Sequence, residues 1–315
     1  MQTATGRPLR YDAAMTRPAV RCALIGSTGQ LGFDLARSFD LAGDLVALTR
    51  DRLDLLEPTA IPRVLAELRP THVVNAAAYN LVDRAEDERE RAFALNADAV
   101  GALAEACQAL GATLVHFSTD YVFDGRKTSP YAEDDGPGPL GVYAASKVAG
   151  ERLARERCER TFIVRVCGLY GIGQSASAGR TNFVETMLRL AERGGTIRVV
   201  RDQVLTPSYT RDLAPKVWRL LARGGPGIYH VTNAGQTSFY DFAREIFRLS
   251  GLTPDLVPVT AAEYGARARR PAYSVLAHGR LTALGEDDLR PWPDALAAYL
   301  RERAGVRRAT APTGS

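Results

Sequence analysis

Residues 20–39 read VRCALIGSTGQLGFDLARSF. The first six form an apolar run of strand length that stops at Gly26, and from residue 29 to 41 Leu31, Leu35 and Phe39 fall at helical spacing. Between the two lies GSTGQLG (26–32), a GxxGxxG pattern. Each glycine has its own geometric use there. Gly26 permits the tight turn, Gly29 lets backbone approach a pyrophosphate, and Gly32 lets the helix pack on the strand. The start of the helix adds free N–H groups and the positive end of its dipole. Three glycines in seven also suit a plain structural turn. The place after a first strand and before a helix is what favours a dinucleotide.

The same alternation continues outward. Apolar runs at 45–49, 72–78, 113–118 and 161–166 are separated by helical stretches near 58–68, 85–110 and 143–159. Strand and helix in turn predict βαβ units, hence an α/β fold with a doubly wound parallel (Rossmann) sheet over residues 21–170. Past residue 170 the regularity declines. Residues 174–180 (QSASAGR) read as a flexible loop. Helices near 181–193, 239–250 and 293–303 predict a smaller, irregular substrate-binding part over 171–199 and 236–303. Strand-like runs at 197–200 and 228–231 blur its boundary, and a segment at about 200–235 is expected to return to the first domain. Residues 1–20 and 304–315 read as a disordered leader and tail.

The chain has 315 residues and a formal net charge of +4. That excess sits at the ends: residues 1–21 carry +3, residues 301–315 carry +3, and the stretch between is slightly acidic. A basic face for nucleic acid should lie on folded structure, so no nucleic-acid partner is expected. No apolar run of spanning length and no signal-peptide core appears, so no membrane association is expected. The four cysteines (Cys22, Cys107, Cys158, Cys167) lack metal-site spacing. Buried reduced thiols in a cytoplasmic protein, with no metal, are the expectation. Only three of the 40 basic residues are lysines: Lys127, Lys147 and Lys216.

At the end of the second strand, Arg50 would meet a 2′-phosphate, which favours NADPH. Asp51 or Asp54 would instead contact a ribose or the adenine, and a solvated surface charge is the alternative for each. NADH therefore stays open. Ser118 and Thr119 end the fourth strand, Tyr143 follows, and Lys147 comes four residues later in YAASKVAGE (143–151). A Tyr and a Lys at i and i+4 share a helix face. A free tyrosine, with a pKa near 10, exchanges its proton poorly at neutral pH, and a nearby ammonium lowers that value. Thr119 or Ser118 would hold a substrate carbonyl, Tyr143 would protonate the developing alkoxide, and Lys147 would also bind the nicotinamide ribose. Chance alone produces many YxxxK pairs. The place of this one, after the fourth strand of a dinucleotide fold, is what singles it out.

With these motifs in view, the chain resembles the dTDP-4-dehydrorhamnose reductase family of extended short-chain dehydrogenase/reductases. The matching segments include GSTGQLG (26–32), VVNAAAYNLVDRAE (73–86), STDYVFDG (118–125), PLGVYAASKVAGE (139–151), DQVLTPSYTRDLA (202–214) and RPAYSVL (270–276). The resemblance implies an NAD(P)H-dependent reduction of the 4-keto group of a dTDP-4-keto-6-deoxysugar, by a monomer or homodimer. It implies that Gly26, Thr28, Gly29, Gln30 and Leu31 line the pyrophosphate, with Asp54 and Leu55 near the adenine and Ala76, Ala77 and Ala78 along the dinucleotide. Thr119, Tyr143 and Lys147 would be the catalytic trio. Ser118, Thr119, Asp120, Gly168, Gln203 and Arg270 would border the sugar nucleotide, although Asp120 would alternatively cap a turn and Arg270 form a surface pair. Asn96 would brace the long helix or the site.

RVCGLYG (165–171) departs from the family pattern, in which a tryptophan stands where this chain has Gly168. Leu205 likewise stands where the family often has glycine. Loss of an aromatic wall would open space and change how the sugar is held. Two other readings are a non-catalytic NADP-binding regulatory subunit, of the kind that acts on methionine adenosyltransferase, and a nucleotide-sugar epimerase.

Overall fold

A computed structural model describes residues 20–173 and 182–310. Residues 1–19 of the expected leader 1–20, the loop 174–180 and the last five residues of the tail lie outside the described residues, whereas Val20 already opens the first strand. Five strands, β1 (Val20–Ile25), β2 (Gly43–Leu48), β3 (His72–Asn75), β4 (Thr113–Thr119) and β5 (Thr161–Val166), pair in parallel in the order β2-β1-β3-β4-β5. A sixth strand, Gly227–His230, pairs in parallel with β5. The strand order reverses between β1 and β3, so their carboxyl ends flank the crevice where such sheets bind ligands.

The sheet is covered on both faces because its strands are apolar on both. Leu114 and Ile163 pack with Leu65, Leu103 and Ala154 from the helices Ala60–Leu68, Ala99–Leu110 and Val142–Arg157. Leu24, Val115 and Val164 pack on the other face with Leu35 of the helix Gln30–Arg37 and Trp218 of Thr210–Arg223. A second core gathers the helices Phe183–Arg193, Phe239–Ser250 and Trp292–Thr310 around Phe242 and Tyr299. The parallel pair Ile197–Val200 and Leu256–Val259 belongs to this part.

Two expectations need correction. The stretch 85–110 is not one helix. Val82–Ala85 is a separate turn, the helix starts at Arg89, and it passes through a π-helical turn at Ala94–Asp98 before continuing from Ala99. There Asn96 turns its side chain to the Tyr79 backbone, accepting from its N–H at 2.8 Å and donating to its carbonyl at 2.9 Å. The supposed tail from 304 is also helical as far as Thr310. Its helix is anchored upstream, where Arg37 meets Glu302 at 2.8 Å. Among the described residues no helix is long and apolar enough to cross a membrane.

Candidate active site

The GSTGQLG turn is shaped by what its glycines lack. Gly26 has φ +78°, and a Cβ there would sit 2.7 Å from the Ala77 nitrogen. A Cβ on Gly32 would drive into the Gly26 carbonyl. Gly29 caps the following helix with extended backbone and no side-chain hydrogen bond, leaving the first N–H groups toward the crevice. Thr28 is exposed and Gln30 half-buried, whereas Leu31 is buried in the core and has only backbone to offer a phosphate. Ala76–Ala78 follow β3 directly, half-buried against Gly26. Arg50 is 69% exposed and is held by Asp54 at 3.0 Å, beside the crevice. The Leu56 N–H at 3.0 Å and Arg50 keep the Asp54 carboxyl below its ordinary range. The Leu55 side chain packs in the core with Leu48 and Ile61, so contact with an adenine would fall to its backbone.

At the carboxyl end of β4, the Thr119 hydroxyl donates to Asp120 Oδ1 at 3.0 Å and accepts from the Tyr121 N–H at 3.2 Å. Thr119 therefore caps the turn Asp120–Val122, the role considered for Asp120. The Asp120 carboxylate instead gathers donors: the Cys167 thiol reaches Oδ2 at 3.0 Å, and Ser274 bonds to it as well. Burial pushes Asp120 above, and Cys167 well above, their ordinary ranges. Cys167 is thus more than an inert core thiol. The Ser118 hydroxyl is buried with no hydrogen-bond partner.

Tyr143 and Lys147 lie one turn apart on the helix Val142–Arg157. Its first N–H is capped by Glu86 Oε1 at 2.9 Å, and Ser146 links it to Asn96 at 3.0 Å. The expected lowering of the Tyr143 pKa by Lys147 is not found. Burial, opposed by the hydrogen bond between Tyr143 and Thr119, pushes the phenol up to about 12. Lys147 is buried below it, donating to the Phe117 carbonyl at 2.6 Å and facing His116 Nε2 at 3.2 Å. Burial brings its ammonium down to about 8, opposed by the charge of Glu151.

A cleft of about 480 Å³ opens next to this group, lined by Tyr121, Gly168, Gln203, Leu205, Phe239 and Arg270 among others. Tyr121 bridges cleft and phenol, its ring 6.1 Å from that of Tyr143. Arg270 sits at the cleft wall in a bidentate pair with Asp83, at 2.7 and 3.1 Å. Space expected from the absent aromatic at Gly168 is instead filled by Leu205, whose methyl lies 2.9 Å from where a Cβ on residue 168 would sit. Sequence reasoning missed His116, Tyr121 and Glu86. A histidine within the otherwise apolar TLVHFS run was the available signal for the first.

The RmlD substrate binding domain family matches residues 20–304. The chain belongs to this family. It is 43% identical over 286 residues to the spore coat polysaccharide biosynthesis protein SpsK of Bacillus subtilis (strain 168), covering 89% of this chain and 97% of that one. It is also 43% identical over 287 residues to a dTDP-4-dehydrorhamnose reductase of Streptomyces griseus, covering 89% and 92%. Among solved structures, the dTDP-4-dehydrorhamnose reductase of Bacillus anthracis str. Ames in complex with NADP superposes with a TM-score of 0.85 at 36% identity, over 90% of this chain and 100% of that one. In this member of the RmlD substrate binding domain family the glycine turn follows the carboxyl end of β1, and Thr119 ends β4 of the same sheet, hydrogen-bonded to Tyr143 one helical turn from Lys147.

Proposed function

We propose that the chain is an NADPH-dependent ketoreductase that reduces the 4-keto group of a dTDP-4-keto-6-deoxysugar. The observation that carries this is the half-buried phenol of Tyr143, hydrogen-bonded to Thr119, with Tyr121 between it and a sugar-sized cleft and a buried ammonium one helical turn away. The crevice suits NADPH: the Gly26 cradle leaves no room for a Cβ, the Ser118 hydroxyl is buried without a partner, and Arg50 stands free enough for a 2′-phosphate. When bound, the cofactor supplies the hydride.

The remaining work falls to this chain. Thr119, held by the Tyr121 N–H, would swing its one hydroxyl proton from Asp120 to the ketone oxygen as substrate enters. Tyr143, which holds its proton firmly in the ground state, donates it as charge develops on the oxygen. Lys147 then faces a nascent tyrosinate on its own helix face. Gln203, Arg270 and the turn at Gly168 border the sugar nucleotide. Four buried free cysteines support work in the reducing cytoplasm. NADPH oxidation measured with a panel of dTDP-4-ketosugars tests the reading. Turnover of at least one is expected, and NADP binding without turnover of any would favour a regulatory subunit.

A further inference from the structure

Beneath the site, Asn75, His116 and Lys147 form a buried chain. The Ala77 N–H donates to Asn75 Oδ1 at 3.1 Å, which fixes that amide. Its NH₂ group then points at His116 Nδ1, 3.3 Å away. An NH₂ only donates, so Nδ1 accepts and the single proton of the neutral imidazole lies on Nε2. Nε2 faces Lys147 Nζ at 3.2 Å. An ammonium has only protons to present to that N–H, whereas an uncharged amine presents a lone pair. Burial, then the charge of Lys147, keeps the His116 imidazole well below its ordinary range, so the ring stays neutral.

We propose that His116, held in one tautomer by Asn75, is a positioning residue that loosens the proton on Lys147, so that Lys147 gains and loses it near the working pH. Other groups act on Lys147 from each side. Glu151, one turn along the helix, favours the charged form, but its carboxylate is held by Arg165 at 2.7 and 2.9 Å. Tyr143 lies one turn back, and Asp120 lies past the end of β4 beside Thr119. The Phe117 carbonyl takes a lysine proton in either state. His116 is thus the neighbour whose hydrogen bonding distinguishes the two states.

The inference rests on the reading of Lys147 as part of the site, and its test observes the lysine directly in the full chain without substrate. With three lysines in the sequence, ¹³Cε-lysine labelling gives three signals, assigned with Lys127→Arg and Lys147→Arg. His116→Leu should raise the Lys147 titration midpoint by roughly half to one unit, the value of one ordinary hydrogen bond. The alkaline limb of kcat/KM should move with it. A midpoint that is unmoved or lowered overturns the proposal. If His116→Leu does not fold, ¹⁵N-histidine spectra of the wild-type chain decide: a proton on Nε2 is expected, and one on Nδ1 overturns the proposal. A shifted Lys147 midpoint in an enzyme inactive on every ketosugar would sustain the coupling while sinking the catalytic reading.

Discussion

A methyl of Leu205 stands 2.9 Å from the point where a Cβ on Gly168 would project, and Gly168 itself turns through φ +53°. The two positions share one volume, so a side chain is accommodated at one or the other. Gly168→Trp alone should reduce kcat/KM at least about tenfold, since overpacking and a positive φ both oppose it. Adding Leu205→Gly should recover part of that loss and alter the preference among deoxysugars. Additive losses in the double variant would show that the positions do not share the volume.

Tyr143 is the only group assigned to give the ketone its proton. Tyr143→Phe should lower kcat by roughly 10²–10⁴-fold, the usual worth of a positioned acid. NADPH affinity, followed by cofactor fluorescence, should change little. Retention of full activity would refute the assignment.

The pH profile separates phenol from ammonium. Tyr143, pushed up to about 12, keeps its proton through the assay range, whereas Lys147, brought down to about 8, loses its charge within it. Below about 8 the charged lysine is present to stabilise tyrosinate, and above it that support disappears. Reductase kcat/KM should therefore fall with a single-proton slope above pH 8. Lys147→Arg should lose most activity, and what remains should not show that limb, because guanidinium stays charged.

Arg50 is held by one carboxylate and is 69% exposed. Arg50→Ala should raise KM for NADPH by about tenfold, in line with the loss of one charge-assisted contact to phosphate, and leave KM for NADH unchanged. Equal effects on both cofactors would remove the 2′-phosphate role.

Far from the crevice, Lys216 is fully buried and meets Glu286 at 2.7 Å, with Arg223 also paired to that carboxylate. These partners pull Glu286 from 4.5 to about 2. Because the folded value is the lower one, the stabilisation is complete above about 4.5 and is lost as pH falls toward 2. Glu286→Gln leaves the buried ammonium with Asp288 alone at 2.5 Å and should cost about 3 kcal/mol at pH 7. The difference from wild type in urea unfolding should narrow at pH 3.

Much of the molecule was legible before its structure. The GSTGQLG turn, the parallel sheet and the YxxxK helix follow from local chemistry and period, and the structure has them. What was not legible concerned depth and direction. Leu31 and Leu55 stand in the expected segments with their side chains in the core, which leaves backbone as what each can offer a cofactor. Lys147 stands one turn from Tyr143, yet spends its protons on Phe117 and faces His116. The π-helical turn at Ala94–Asp98 carries the tie of Asn96 to Tyr79, a contact across the fold with no period in the sequence. At Gly168 the lack of a side chain was legible, whereas the filling of the adjacent space by Leu205 was not.

The pairing of Gly227–His230 with β5 has a consequence for how the chain is made. On the ribosome β5 emerges with its outer edge bare and stays so until Gly227 has been synthesised. Truncation near residue 170 would fix that state permanently, presenting open N–H and C=O groups to other chains. The nucleotide-binding half is therefore not a portable module. Grafts or fragment expression ending there should aggregate, whereas fragments that carry the sixth strand should stay in solution.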